Sequence, residues 1–418
     1  MKISFQQITN FATLLFFSVA LNPEWSANPI LWWGSIVFVL GMMLISYGFR
    51  IPLQINAFQI WMIAFFLICM LSIIVAIDRS TSIACLKTLG IFLVILFIID
   101  ELIQTECDLK IYMKLYLIAT FLMIGYVFIK LDLTSFQLAQ RGLVSTGVWN
   151  GNEVGIKCAL FIILMLYFWD RNDKPLICLL KCIAMGMALI LVYFTASRKA
   201  LLMIAIGVSL YFYLKNPTKK ARNICIIVGG IFLVYFALMH VSLLYNAIGW
   251  RIDGFIAGLT GKGSVDSSTA LRSEYISIGI DAFKKSPFFG YGLDNYRFIN
   301  LHETGHFTYS HNNFIEILVG VGIFGFIVYY FFYLKLIKEY LILYRKNQTS
   351  QILNIIAICF FTLWGMHFAC VSYTSFEQAL IILFMFKALR FNNREVEVSD
   401  KSKKDKVIYI EGEVKRIP

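Results

Sequence analysis

Tyr309-Ser310-His311-Asn312-Asn313 runs directly into an apolar stretch, Ile317 to Leu334, that is interrupted by Gly320, Gly322 and Gly325. The first part is polar; the second approaches the length of a bilayer-crossing helix, about 20 apolar residues. His311 therefore falls at the seam between a water-exposed loop and a transmembrane segment. A titratable group at that seam is placed to meet a lipid-linked substrate.

The rest of the chain has the same character. Of 418 residues, 59% are hydrophobic and 15% charged, and the mean hydropathy is +0.74. A soluble domain of this length carries more charge and fewer unbroken apolar runs. Windows of about 20 residues predict roughly twelve spans, near 7–22, 29–48, 57–77, 83–100, 111–129, 153–169, 175–195, 198–214, 222–244, 312–334, 352–371 and 374–389. The expected fold class is an all-α integral membrane protein of about twelve transmembrane helices with one large extracytoplasmic loop. Residues 1–244 would hold spans one to nine, and 245–311 the extracytoplasmic loop with an amphipathic helix. Residues 312–391 would hold spans ten to twelve, and 392–418 a charged cytoplasmic tail with a short β-like piece at Val407-Ile408-Tyr409-Ile410. The first span follows Met1-Lys2 as a signal peptide does. Asn22-Pro23-Glu24-Trp25 is bulky and polar where cleavage needs small residues, so a retained signal anchor is expected.

Lysine and arginine set the orientation. Lys215, Lys219, Lys220 and Arg222 share one short loop, Lys335, Lys338, Arg345 and Lys346 another, and Arg390, Arg394, Lys401, Lys403, Lys404 and Lys406 the tail. An even number of spans puts these clusters and both termini on the cytoplasmic side. The acidic loop with Asp100, Glu101, Glu106 and Asp108 dissents, but acidic residues count little in this rule. Much of the formal charge of +12 is thus anchoring against anionic lipid. No basic soluble domain exists to bind nucleic acid. Nearly all of the nine cysteines lie inside predicted spans, and none forms a Cys-x-x-Cys pair. They read as small hydrophobes, not as disulfides or metal ligands.

Inside the loop, Gly258 to Gly263 and Ser264 to Ser268 read as turn-rich. A helix from about Thr269 to Lys285 follows, stopped by Ser286-Pro287. Leu271, Tyr275, Ile278 and Ala282 form one apolar stripe and Ile276, Ile280 and Phe283 another, which suits a helix on the membrane surface or packed under the loop. Arg198, Arg272 and His311 share the outer face in this topology, each near a predicted helix N-terminus, where free amides favour an anion. Guanidinium groups chelate phosphate oxygens in a fork, and a histidine accepts a proton near neutral pH. Together these groups suit a lipid diphosphate leaving group. Singly, Arg198 and Lys199 can snorkel at the interface, Arg272 can be a surface charge, and His311 can help cap the helix with Asn312. Asn152, opening the sixth span, can bind a sugar or cap its helix.

His302-Glu303-Thr304-Gly305-His306 spells a zinc-protease motif, with Glu316 as a conceivable third ligand. Such a motif needs a helix that puts both histidines on one face, and Gly305 inside a polar loop argues against one. His240 and His367 within spans read as packing positions, and Glu316 and Glu377 as isolated acids near span ends. No metal site is expected.

From about Gly142 to Phe332 the chain resembles the bacterial O-antigen ligase and Wzy-type polymerase superfamily. The carrying residues are His311-Asn312, nine residues, then Gly322-Ile323-Phe324-Gly325; Ser197-Arg198-Lys199-Ala200; and Arg272 followed by Phe283 to Gly292 with its Pro-x-x-Gly-x-Gly turn. The resemblance implies a GT-C-like fold and a metal-independent, cofactor-free, inverting transfer of a glycan from undecaprenyl diphosphate on the outer face of the cytoplasmic membrane. It makes 245–311 the catalytic loop. Arg198 and Arg272 would hold the diphosphate and His311 would activate the acceptor hydroxyl, with Asn312 and Asn152 as further substrate-binding positions. The implied partners are the lipid-linked glycan, an acceptor glycan lipid (a repeat unit or lipid A–core) and membrane lipid. The charged tail and the Gly-Tyr-Gly turn lean toward a polymerase. A lipid-linked glycan flippase, which expects polar residues or repeats inside the bundle, and a zinc membrane protease remain the alternatives.

Overall fold

A computed structural model describes residues 5–46, 55–131, 150–170, 172–215, 220–242, 245, 249–250, 252–254 and 267–414, without the side chains of 220, 231, 234, 267–269 and 397–414. Met1, Lys2, Gly142, Trp149, Lys219 and 258–266 therefore lie outside the described residues. Everything described is helix, turn or irregular, with no strand among the described residues.

Twelve long helices coincide with the twelve apolar stretches. They are α1 (Phe5–Leu21), α2 (Pro29–Ser46), α3 (Ala57–Ser72), α4 (Arg79–Leu102), α5 (Glu106–Lys130), α6 (Gly151–Tyr167), α7 (Pro175–Thr195), α8 (Arg198–Lys215) and α9 (Lys220–His240), then α12 (Asn313–Arg345), α13 (Gln351–Met366) and α14 (Phe376–Val414). Between α9 and α12 lie α10 (Ser267–Lys285) and α11 (Tyr296–Thr304). Among the described residues, seven helices are long and apolar enough to cross a membrane, namely α2 to α5, α7, α9 and α12; α1 and α13 are shorter apolar helices.

Side chains that a hydropathy scan treats alike tie the bundle together in specific ways. α1 packs on α2 and α5, α6 on α7, α8 and α13, and α12 on α3. At the last contact the Trp61 indole stacks on Phe332, 4.9 Å between ring centroids and 12° between planes, and its Nε1 donates to the Val328 and Tyr329 carbonyls at 3.1 Å. Phe376 meets Phe16 edge-on at 5.4 Å and joins α14 to α1.

Two buried ion pairs sit within this apolar frame. Lys157 of α6 contacts Glu377 of α14 at 3.0 Å and also donates to the Leu21 carbonyl at 3.0 Å. Lys387 of α14 contacts Asp100 of α4 at 2.8 Å, and Asn56 and Gln59 donate to the same carboxylate. Unpaired charge is expensive there, so pairing is what permits it. Glu377, which reads as an isolated acid in the sequence, is thus one half of a pair.

Four other expectations are corrected. The helix expected over 312–334 runs on to Arg345 and is broken inside, where Gly322 has φ +69 and ψ −173. The polar end of the loop is not all coil, because α11 forms over Tyr296–Thr304. Ser267 and Ser268, expected in a turn, already belong to α10. The β-like piece at 407–410 is helical: α14 continues through the charged tail to Val414, so helix continuation overrides a four-residue β pattern.

Candidate active site

The loop and the broken helix explain each other. In a regular helix the Val319 and Gly320 carbonyls and the Ile323 amide bond along the chain. Here the Tyr291 amide donates to the Val319 carbonyl (2.8 Å), Gly292 to Gly320 (3.0 Å), and Ile323 to the Pro287 carbonyl (2.8 Å). The Pro287-Phe288-Phe289-Gly290-Tyr291-Gly292 turn is therefore docked into the gap. Gly290 and Gly322 have φ +70 and +69, and a β-carbon on Gly322 would lie 2.2 Å from the Phe288 carbonyl oxygen. Only glycine fits both conformation and space. The turn is pinned from its other side by Asn295, whose Nδ2 donates to the Ser82 hydroxyl at 2.7 Å and whose Oδ1 accepts from the Asp78 amide at 2.6 Å.

α10 lies on α12 through one face. Tyr275 and Ala282 are buried with Tyr296, Ile315 and Val319, and the Tyr296 hydroxyl donates to the Tyr275 carbonyl at 2.6 Å. Leu271 and Ile280 remain exposed, so only part of the two apolar stripes is used. Arg272 is carried in the second turn of this helix.

Asn312 is the N-cap of α12: its side-chain oxygen accepts from the Phe314 and Ile315 amides at 2.9 and 3.1 Å. It is 7% exposed, so its carbonyl is committed to capping, which explains the Asn next to His311 without a ligand. His311 itself has a left-handed backbone, φ +57. Its ring sits 4.3 Å from that of Tyr309 and lies nearly parallel to Tyr275, centroids 6.3 Å apart and planes 14° apart. Among the described residues the imidazole makes ring contacts and no hydrogen bond. Burial, helped by the nearby Arg272 guanidinium and Lys199 ammonium, pushes its pKa down to about 4. At neutral pH the ring is neutral, with a lone pair available. Burial likewise pushes the Tyr309 hydroxyl up.

The second element is the α7–α8 corner. α7 ends at Ala196 in a left-handed conformation, φ 48, and Ser197 caps α8 by accepting from the Ala200 amide at 3.3 Å. The Ser197 hydroxyl also donates to Asn152 Oδ1 at 3.1 Å. Asn150, not Asn152, caps α6, accepting from the Asn152 amide at 3.0 Å. Asn152 is exposed and ties the start of α6 to the start of α8. That approach depends on Gly155, where a β-carbon would stand 2.9 Å from the Ala200 methyl. Arg198 is the first residue of α8, and Lys199 donates to the Ala369 carbonyl in the α13–α14 connection.

The charges converge. His311 feels Arg272 and Lys199, and Lys199 in turn feels Arg272 and Arg198. Three predicted residues and one unpredicted lysine, from α8, α10 and the start of α12, thus share one electrostatic neighbourhood at one end of the bundle. The chain direction of α8 and α12 puts Lys215 and Arg345 at the other end. Sequence reading passed over Lys199 as a snorkelling neighbour; the signal was its adjacency to Arg198 at a helix start.

His302, Glu303 and His306 do not form a zinc motif. α11 ends at Thr304, Gly305 caps it with φ 76, and His306 lies beyond, so the two histidines do not share a helical face. The His302 side chain is 86% exposed and faces Glu303 at 3.4 Å. Among the described residues no group of three His, Cys, Asp or Glu side chains has metal-holding geometry.

Residues 182–330 match the family described as O-antigen ligase. That segment, about a third of the chain, is similar to the O-antigen ligase family and supports the superfamily that the motifs resemble. The match begins within α7, ends within α12, and contains Arg198, Lys199, Arg272 and His311; Asn152 lies before it. No curated protein matches the chain. The similarity to O-antigen ligases and the apolar helices support a multi-pass membrane enzyme of surface polysaccharide synthesis acting on lipid-linked glycans.

Proposed function

We propose that this chain is a glycosyltransferase that moves a glycan from undecaprenyl diphosphate onto an acceptor hydroxyl, as an O-antigen or capsule polymerase or as an O-antigen ligase. The observation that carries the reading is the approach of Arg272 and Lys199 to His311, with Arg198 beside Lys199, near the N-termini of α8 and α12. All twelve long helices would cross the cytoplasmic membrane, with the loop of residues 245–311 and this site on the extracytoplasmic face.

The acceptor hydroxyl attacks the anomeric carbon from the side opposite the diphosphate, so the configuration inverts. As the new C–O bond forms, the hydroxyl proton passes to the neutral His311 imidazole, and the anomeric C–O bond to the diphosphate breaks. Arg198 and Arg272 receive the negative charge that develops on the leaving group, a role suited to pre-placed cations in a partly dry site. The reading therefore needs no divalent ion. An imidazole held near 4 is a weak base in the empty site. A bound diphosphate cancels the field of Arg272 and Lys199 and returns the pKa toward its ordinary value, so substrate binding itself readies the base. Asn152 would reach the glycan from the rim, and Asn312 would act by holding the helix start.

A flippase would need a polar path through the bundle. Among the described residues, four of the five buried Asp, Glu and Lys side chains are instead locked into the pairs Lys157–Glu377 and Lys387–Asp100, which favours the transferase. Ligation and polymerisation share the chemistry above and differ in the acceptor. The deciding experiment is polysaccharide profiling of a deletion strain complemented with wild type, His311→Ala or His302→Ala at equal membrane levels. Loss of long glycan only with His311→Ala is expected. Full activity of that variant would sink the mechanism, and loss only with His302→Ala would return the protease.

A further inference from the structure

The left-handed backbone of His311 is a conformation that a residue with a β-carbon keeps only when its surroundings over-determine it. Those surroundings are two clamps, one on each side. On the far side Asn313 donates its amide to the His367 carbonyl at 2.8 Å, and its Oδ1 accepts from the Ser372 and Tyr373 amides at 2.8 and 3.0 Å. That clamp fixes the helix start to the α13–α14 connection. On the near side lies Ser310, fully buried. Its amide and its hydroxyl both reach Glu316 Oε2, at 2.9 and 2.6 Å. The Ser310 hydroxyl also lies 2.8 Å from the Asn312 carbonyl and 3.3 Å from the Asn312 amide.

Glu316 is unusual for a position one turn into an apolar helix. It is 3% exposed, and among the described residues its second oxygen, Oε1, is buried without a hydrogen-bond partner. A buried carboxylate with half its acceptor capacity idle is costly, and an apolar side chain of similar size would pack more cheaply. What the carboxyl group does supply is a short grip on both donors of the residue before His311.

We propose that Glu316 is a positioning residue: through Ser310 it holds the His311 imidazole between Tyr275 and Tyr309, turned toward the arginine–lysine cluster. The inference rests on the proposed role of His311 and extends it to a residue with no contact to substrate. The charged and titratable groups facing His311 are Arg272 from α10, Lys199 from α8, and the Tyr275 and Tyr309 hydroxyls; Asp294 and Arg297 face Glu316. All of these stay unchanged in the test.

Membranes carrying wild type, Glu316→Leu, Glu316→Gln, Ser310→Ala or His311→Ala would be incubated with the lipid-linked glycan that accumulates in the deletion strain. Glu316→Leu should lower turnover about 10- to 100-fold, the scale of a reacting group displaced by about an ångström, with KM for that glycan little changed because Arg198 and Arg272 are intact. Glu316→Gln keeps an oxygen for both Ser310 donors and should restore most of the turnover. A ring released toward water should also move the acid limb of kcat/KM in Glu316→Leu and Ser310→Ala up from near pH 4 toward the ordinary histidine range, about 6.5. If Glu316→Leu does not accumulate in membranes, Ser310→Ala alone decides through that limb. Wild-type turnover with an unmoved limb in the clasp variants, while His311→Ala is dead, would overturn this inference only. A fully active His311→Ala would overturn the proposed function with it.

Discussion

Replacing Gly322 by alanine tests whether the docked turn holds the broken helix open. The new β-carbon would stand 2.2 Å from the Phe288 oxygen, 2.4 Å from its carbonyl carbon and 2.8 Å from the Phe289 amide nitrogen. These are backbone atoms and cannot rotate aside, so the turn must lift or the helix must close. Either outcome removes the three hydrogen bonds that the Tyr291 and Gly292 amides donate and the Pro287 carbonyl accepts, each worth about 0.5–1.5 kcal/mol. Forcing a residue with a β-carbon into a glycine-only conformation adds about 1–3 kcal/mol. The sum, about 3–7 kcal/mol, is comparable to a domain's whole margin of about 5–15 kcal/mol. Because the strain is confined to one contact, the turn should undock while the bundle persists. Limited proteolysis of intact membranes should then cut Gly322→Ala near residues 286–293, where wild type resists, and transferase activity should be lost. Gly290→Ala, whose β-carbon meets the Val319 and Gly320 carbonyls at 2.5 and 2.7 Å, should behave alike. Gly125→Ala, with open space around it, should not. Wild-type protease resistance and activity in Gly322→Ala would refute the docked-turn account.

Three further outcomes are expected. The acid limb of kcat/KM, which reports the free enzyme, should fall near pH 4, where His311 gains its proton. The limb of kcat should lie at higher pH, because bound diphosphate raises the same pKa; coincident limbs would contradict substrate-assisted activation. Arg272→Lys keeps the charge but loses the fork, so the KM for lipid-linked glycan should rise at least about tenfold, the effect of 1.4 kcal/mol, as measured in membranes. Lys157→Met leaves Glu377 buried without its ion pair and should cost about 3–5 kcal/mol, seen as a lower thermal midpoint in detergent; the double variant Lys157→Met/Glu377→Met should recover most of it.

The helices were legible because a bilayer-length apolar run is a long signal that averages over many residues, and each of the twelve stretches overlaps one long helix among the described residues. The break in α12 was visible as Gly320, Gly322 and Gly325, yet its purpose was not. A positive φ is meaningful only against the turn that fills the gap, and that turn is remote in the chain. The same holds for Glu377, an isolated acid until Lys157 arrives from another helix. Arg198, Arg272 and His311 could be chosen from residue type and helix starts. The Ser310–Glu316 clasp could not, since its role depends on which amide stands opposite, and Lys199 was marked only by its adjacency to Arg198 at a helix start. Asn312 shows the converse: beside His311 it reads as a binding residue, and its side-chain oxygen is taken up in capping α12.

The Lys157–Glu377 pair also bears on how the protein is made. α6 precedes α14 in the chain, so Lys157 is made before its ion-pair partner Glu377. The Leu21 carbonyl, at the end of the first helix, is already present and accepts from the same ammonium. The first helix can therefore hold the lysine before α14 is made, and the Glu377 carboxylate adds its ion pair when α14 packs. Packing of α14 is in this way tied to a site that α1 and α6 already share.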